Sequence, residues 1–112
     1  MAGDGARPVV YLCSPWAGEM ARHLAYARRA LADSLRRGEA PVAVHLLYPQ
    51  VLDDGCAGQR GPALEAGLAV LARAERVALY RDLGVSPGMM AEAERALALG
   101  IPVETRLVGE AP

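Results

Sequence analysis

At 112 residues, 53% hydrophobic and with a formal net charge of -1, the chain is sized for one domain and is neither a disordered tail nor a polycation that would hold a nucleic-acid polymer. No apolar run reaches the roughly 20 residues of a membrane span, and MAGDGARPVV lacks the charged start and apolar stretch of a signal peptide. A cytoplasmic protein with no membrane partner is expected. All 12 basic residues are Arg, and Lys, Asn and Phe are absent, a bias that follows GC-rich codons and does not mark a phosphate-binding surface.

Two cysteines, Cys13 and Cys56, and two histidines, His23 and His45, form neither a disulfide framework nor a metal cluster, so no metal and no cofactor are expected. In chain order, PVVYLCS (8–14) is a continuous apolar run suited to a strand covered on both faces. From Glu19 to Arg37, Met20, Leu24, Ala27, Leu31 and Leu35 recur at spacings of three and four, which predicts an amphipathic helix stopped by Gly38. PVAVHLL (41–47) reads as a second strand ending near His45. A polar loop follows over 48–61, and Pro62 then opens a second helix whose buried stripe is Leu64, Leu68 and Leu71.

RVALY (76–80) is the third strand and RDLGVS (81–86) a loop. Ser86 is placed as N-cap of a third helix, with Pro87 in its first position and Gly100 at its end. IPVETRLV (101–108) is the fourth strand. The alternation β-α-β-α-β-α-β predicts a three-layer α/β sandwich: a doubly wound parallel sheet of four to five strands, flavodoxin- or Rossmann-like, in the order 2-1-3-4. Residues 1–112 make one domain with its core at about 8–108. So small a sheet suits an extra edge element or a dimer interface covering one helix layer, and a homodimer is expected.

In such sheets ligands bind beyond the carboxyl ends of the strands, where strand order reverses. Three loops converge there, and they carry Ser14, Trp16, Gly18, His45, Tyr48, Asp53, Asp54, Asp82 and Ser86, with Glu92 a turn into the third helix. The start of that helix offers the Ser86 hydroxyl and the backbone N–H groups of Gly88 and Met89 to an anion. The alternative is an ordinary cap. Trp16 suits stacking on a base, or a hydrophobic lid or dimer contact. The Asp53–Asp54 pair suits a solvated turn or closure over a sugar, and His45 a structural group or a crevice ligand. With no GxGxxG or Walker A pattern, dinucleotide and P-loop readings fail.

YLCSPWAGE, HLLYPQVLDD and SPGMMAE...ALALGIPV together resemble a bacterial and phage domain family related to the nucleoside 2-deoxyribosyltransferases and the 2-deoxynucleoside 5-phosphate N-hydrolases, over roughly residues 8–107. Within that family the chain looks most like an uncharacterised branch. The resemblance implies that Glu92, last of a Ser-x-Gly-x-x-x-Glu pattern, attacks the anomeric carbon of a sugar. It also implies that Tyr11 positions that carboxylate, and that Ser86 and Gly88 hold the 5-side of the sugar. The chain departs from those relatives in three places. Ser14–Gly18 holds no Arg for a phosphate, Ala66 and Gly67 (with Glu65 nearby) stand where the second helix carries an Asp, and Glu75 replaces an Asp before the third strand. The proton donor therefore stays open among Asp82, Asp53 and Asp54.

Three functions follow as expectations. The first is an enzyme cleaving the N-glycosidic bond of a small-molecule nucleoside or nucleotide. The alternative is a non-catalytic nucleotide- or nucleoside-binding or sensing protein, such as a phage or mobile-element accessory factor. A purely structural role is the third.

Overall fold

The computed structural model describes residues 6–16, 18–47 and 57–109, and all their side chains except those of His45, Leu47 and 57–60. Tyr48, Asp53, Asp54 and Cys56 lie outside the described residues. Strand β1 (Val9–Cys13) pairs in parallel with β2 (Ala40–Val42) on one side and β3 (Arg76–Tyr80) on the other, and β3 pairs with β4 (Val103–Arg106). The sheet is fully parallel, in the order β2-β1-β3-β4. This is the doubly wound α/β sandwich expected from the sequence, with its reversal point between β1 and β3.

Strand alternation divides the core. Val10, Leu12, Ala78 and Tyr80 face one side of the sheet, where helix α1 (Met20–Arg36) lays Tyr26 and Ala30 on them. Tyr11, Cys13, Val77 and Leu79 face the other side. There α3 (Ala57–Leu71) supplies Leu71, and α4 (Pro87–Ala98) supplies Met89, Ala93 and Ala96. No described helix is long and apolar enough to cross a membrane.

Helix α4 is the best specified element. The Ser86 hydroxyl accepts from the Met89 N–H at 3.2 Å, and Pro87 takes the first position, where a missing N–H costs nothing. At the far end Gly100 adopts a φ of 76°. Its N–H reaches Leu97 O (3.0 Å), and the Ile101 N–H reaches Ala96 O (2.9 Å), a complete Schellman closure.

Three expectations are corrected. Strand β2 stops at Val42, and Val44–Leu47 is a single helical turn (α2), so His45 does not end a strand. Short apolar runs do not distinguish these two states. Helix α3 begins at Ala57, and Pro62 lies inside it rather than opening it. The stripes are also rotated. In α3 the sheet-facing side carries Gly67 and Leu71, while Leu64 is 62% and Leu68 42% exposed; in α1, Met20 and Leu35 point outward and Tyr26, Ala27, Ala30 and Ser34 are buried. Small residues face much of the sheet because they let helix and sheet backbones approach closely, and Leu35, Leu64 and Leu68 are left on the outside.

Candidate functional site

The carboxyl ends of β1 and β3 meet the start of α4 on the α3/α4 side of the sheet. Tyr11 is fully buried on β1, and its hydroxyl donates to Glu92 Oε2 at 2.5 Å. Glu92, half-buried, sits between the core residues Met89 and Ala93 of α4 and turns its carboxylate back over β1. Two residues along the same strand face, Cys13 is fully buried. Burial and, secondarily, the Glu92 charge push this thiol far above its ordinary pKa, so it stays S–H. Sequence reasoning missed Cys13. Period-two alternation from Tyr11 was the signal that could have found it.

Helix α3 closes over this group at Gly67. A Cβ there would stand 3.7 Å from the Tyr11 hydroxyl and 3.8 Å from Val44 Cγ2. Gly67, one of the two positions (with Ala66) where the resemblance implies a second-helix Asp, is thus next to the Tyr11–Glu92 pair and carries no side chain.

The loop after β1 keeps Ser14 buried and Trp16 half-buried. The Trp16 carbonyl lies 3.1 Å from His23 Nδ1; a carbonyl only accepts, so His23 donates from that nitrogen. Gly18 takes a φ of 93°, a conformation that favours glycine, and starts the chain into α1.

At the α4 start, Pro87 has no N–H and the Met89 N–H is consumed by Ser86, so among the N–H groups of the first turn that were expected to bind substrate Gly88 is the exposed one. The Met89 side chain belongs to the core: it is 1% exposed and its sulfur accepts from the Ser86 N–H at 3.4 Å.

Asp82 is also corrected. Although it follows β3 immediately, it turns to the α1 side. It accepts from the Tyr26 hydroxyl at 2.5 Å and from the backbone N–H groups of Val108 (2.9 Å) and Gly109 (3.0 Å). Burial opposes its ionisation, but these donors outweigh it and hold the carboxyl below its usual range. Tyr26 is pushed well up, by burial first and then by its bond to Asp82. Asp82 is a clasp for the β4 exit, not a partner of Glu92. Glu75 accepts from the Val9 N–H at the opposite end of the strands, and Glu65 is exposed on α3. His45, Tyr48, Asp53 and Asp54 contribute no described side chain. No group of three or more His, Cys, Asp and Glu side chains that could hold a metal occurs among the described residues.

Residues 8–106 match the model of a family described as Domain of unknown function (DUF7768). The chain belongs to this family. No curated protein gives a match. Among solved structures, the chain is similar to a 2-deoxyribosyltransferase from the psychrotolerant bacterium Bacillus psychrosaccharolyticus, a biocatalyst for nucleoside synthesis. The identity is 21%, with 93% of this chain and 76% of that chain covered and a TM-score of 0.65. At that identity the likeness carries the fold: this member of the family shares the architecture of a deoxyribosyltransferase.

Proposed function

We propose that the chain cleaves the N-glycosidic bond of a nucleoside or nucleotide, as a hydrolase or a deoxyribosyltransferase, with Glu92 as nucleophile. The observation carrying this reading is the 2.5 Å hydrogen bond from Tyr11 to Glu92, made at the reversal point of a deoxyribosyltransferase-like sheet. Scission of a glycosidic bond builds oxocarbenium character at the anomeric carbon, and an aimed carboxylate captures it. In the first step a Glu92 oxygen bonds the anomeric carbon as the C–N bond breaks, and the bond pair leaves on the base nitrogen, which takes up a proton. In the second step water or an acceptor base attacks the same carbon and frees Glu92. The Ser86 hydroxyl and the Gly88 N–H lie at the right helix end for the 5-side of the sugar, and Trp16 beside the base. With Asp82 turned away, Asp53 and Asp54 are the sequence's remaining proton donors.

The test is a panel of nucleosides and 5-nucleotides assayed for free base, with Glu92→Ala as control. Base release by wild type and none by Glu92→Ala is expected. No release from any substrate, or equal release by the mutant, contradicts the proposal.

Ala66 and Gly67, standing where the resemblance implies a carboxylate, favour one second reading: a binding or sensing protein on the same fold. A ligand that raises the melting temperature by mass action and is recovered unchanged would support it. Leu64 and Leu68, exposed one turn apart on α3, are the face we assign to a second copy of the chain. Sedimentation should give a dimer that Leu64→Glu dissociates.

A further inference from the structure

On the reading that places Trp16 beside the base, we propose that His23 is a positioning residue for Trp16. Its imidazole holds the chain after β1 so that the indole stands at the crevice as a wall for the base. Three observations carry this. His23 shares a helix stripe with the buried Ala27, Ala30 and Ser34, at spacings of four, three and four, and is the member nearest the carboxyl ends of the strands. Its Nδ1 donates to the Trp16 carbonyl at 3.1 Å, while its own backbone N–H reaches Glu19 O at 2.9 Å. A Cβ on Gly18 would stand 3.9 Å from His23 Cε1, so the turn at Gly18 runs against the edge of the ring.

The imidazole does for α1 what a cap does for α4. Ser86 ties α4 to its loop, whereas Glu19, at the N-cap of α1, makes no side-chain cap hydrogen bond. The chain after β1 is joined to α1 from one turn inside, through the ring of His23. On the strand side Trp16 follows Ser14 and Pro15, both buried, and proline has a fixed φ. Trp16 is therefore held from both directions, by the buried Ser14–Pro15 step before it and by His23 at its carbonyl. Holding that carbonyl orients the peptide plane next to which the indole projects. Nδ1 carries a proton both in the matching neutral tautomer and in the cation, so the anchor does not depend on the charge of the ring. Stacking holds a base about equally before and during scission, so loss of the anchor should weaken binding more than it slows the chemical step.

Trp16 is the chain's single tryptophan, so its emission reports this indole alone. His23→Asn keeps an N–H at the position of Nδ1, and His23→Leu removes it. In His23→Leu the emission should shift to the red and acrylamide quenching should rise; in His23→Asn both should return towards wild type. In a Glu92→Ala background, 2-deoxyadenosine or thymidine titrated against Trp16 emission should bind about three- to tenfold more weakly with His23→Leu, and His23→Asn should recover most of the loss. Nitrogen-15 NMR of labelled histidine should find neutral His23 protonated at Nδ1, its signal assigned by its loss in His23→Asn. A residue that only fills space would move the melting temperature and leave emission, affinity and rescue unmoved. Neutral His23 protonated at Nε2, or Trp16 emission unchanged in His23→Leu, overturns the inference. Changed emission with undiminished affinity overturns the role towards the base, and so does a Trp16 emission that responds to neither nucleoside. Affinity lost in His23→Leu and regained in His23→Asn, with no base released by wild type from any substrate, upholds this inference and overturns the nucleophile reading, so the two fail separately.

Discussion

The two faces of the sheet each hold a carboxylate, and the two are built to opposite ends. Under α1, Glu39 is 4% exposed and meets two guanidinium groups: Arg106 at 2.6 and 2.7 Å and Arg76 at 3.1 Å, with the Ser34 hydroxyl at 2.7 Å. Arg106, buried in turn, also bonds the Tyr80 hydroxyl at 3.0 Å and pairs with Glu104, and Tyr80 passes the network on to Asp33 at 2.8 Å. Under α4, Glu92 accepts from the Tyr11 phenol. Arginine neutralises what it touches; a phenol only aims it. The first arrangement welds the ends of α1, β3 and β4 together, and the second keeps a directed negative charge at the edge of the crevice.

The sharpest way to break this contrast is to remove a guanidinium. Arg106→Ala leaves Glu39 buried opposite one half-exposed arginine and should cost about 3–5 kcal/mol in denaturant unfolding, with base release per folded molecule unchanged. A loss below about 1 kcal/mol would mean that the network is not a weld.

Acid is the next lever. Arg106 first, then Ser34 and Arg76, hold the Glu39 carboxyl at about 2 against an ordinary 4.5. Because the folded value is the lower one, the associated stability, about 3 kcal/mol, is fully present above pH 4.5 and is lost as pH falls towards 2. Unfolding free energy measured between those limits should fall in wild type and much less in Glu39→Gln. Equal slopes in the two proteins would contradict it.

The smallest effect lies on the other face. Tyr11→Phe keeps the packing and deletes one aiming donor, so kcat should drop roughly tenfold with little change in melting temperature. Loss of folding instead would place Tyr11 in the weld class.

The contrast also marks what sequence could reveal. Strand β3 and helix α4 were legible to the residue because Ser86, Pro87 and Gly100 are local signals whose physics needs no tertiary partner. The Tyr11–Glu92 pair was legible through the Ser-x-Gly-x-x-x-Glu pattern and family resemblance. The Glu39–Arg106 weld was not, since its members are 67 residues apart and each looks like surface charge. The leucines of α3 misled for a related reason: periodicity identifies an apolar stripe, but which side meets the sheet was decided by Gly67 and the close approach it permits. Asp82 stood in the right loop, and only the fold shows it turning to Tyr26 and the β4 exit.

The central claim is that Glu92 bonds the anomeric carbon. Incubation with a nucleoside carrying fluorine at the sugar 2-position slows the second step, so the intermediate can be quenched and mapped by peptide mass. The account predicts one sugar added to the peptide containing Glu92, and none in Tyr11→Phe/Glu92→Ala. Base released with no sugar on that peptide, or a sugar carried by any other residue, would contradict it.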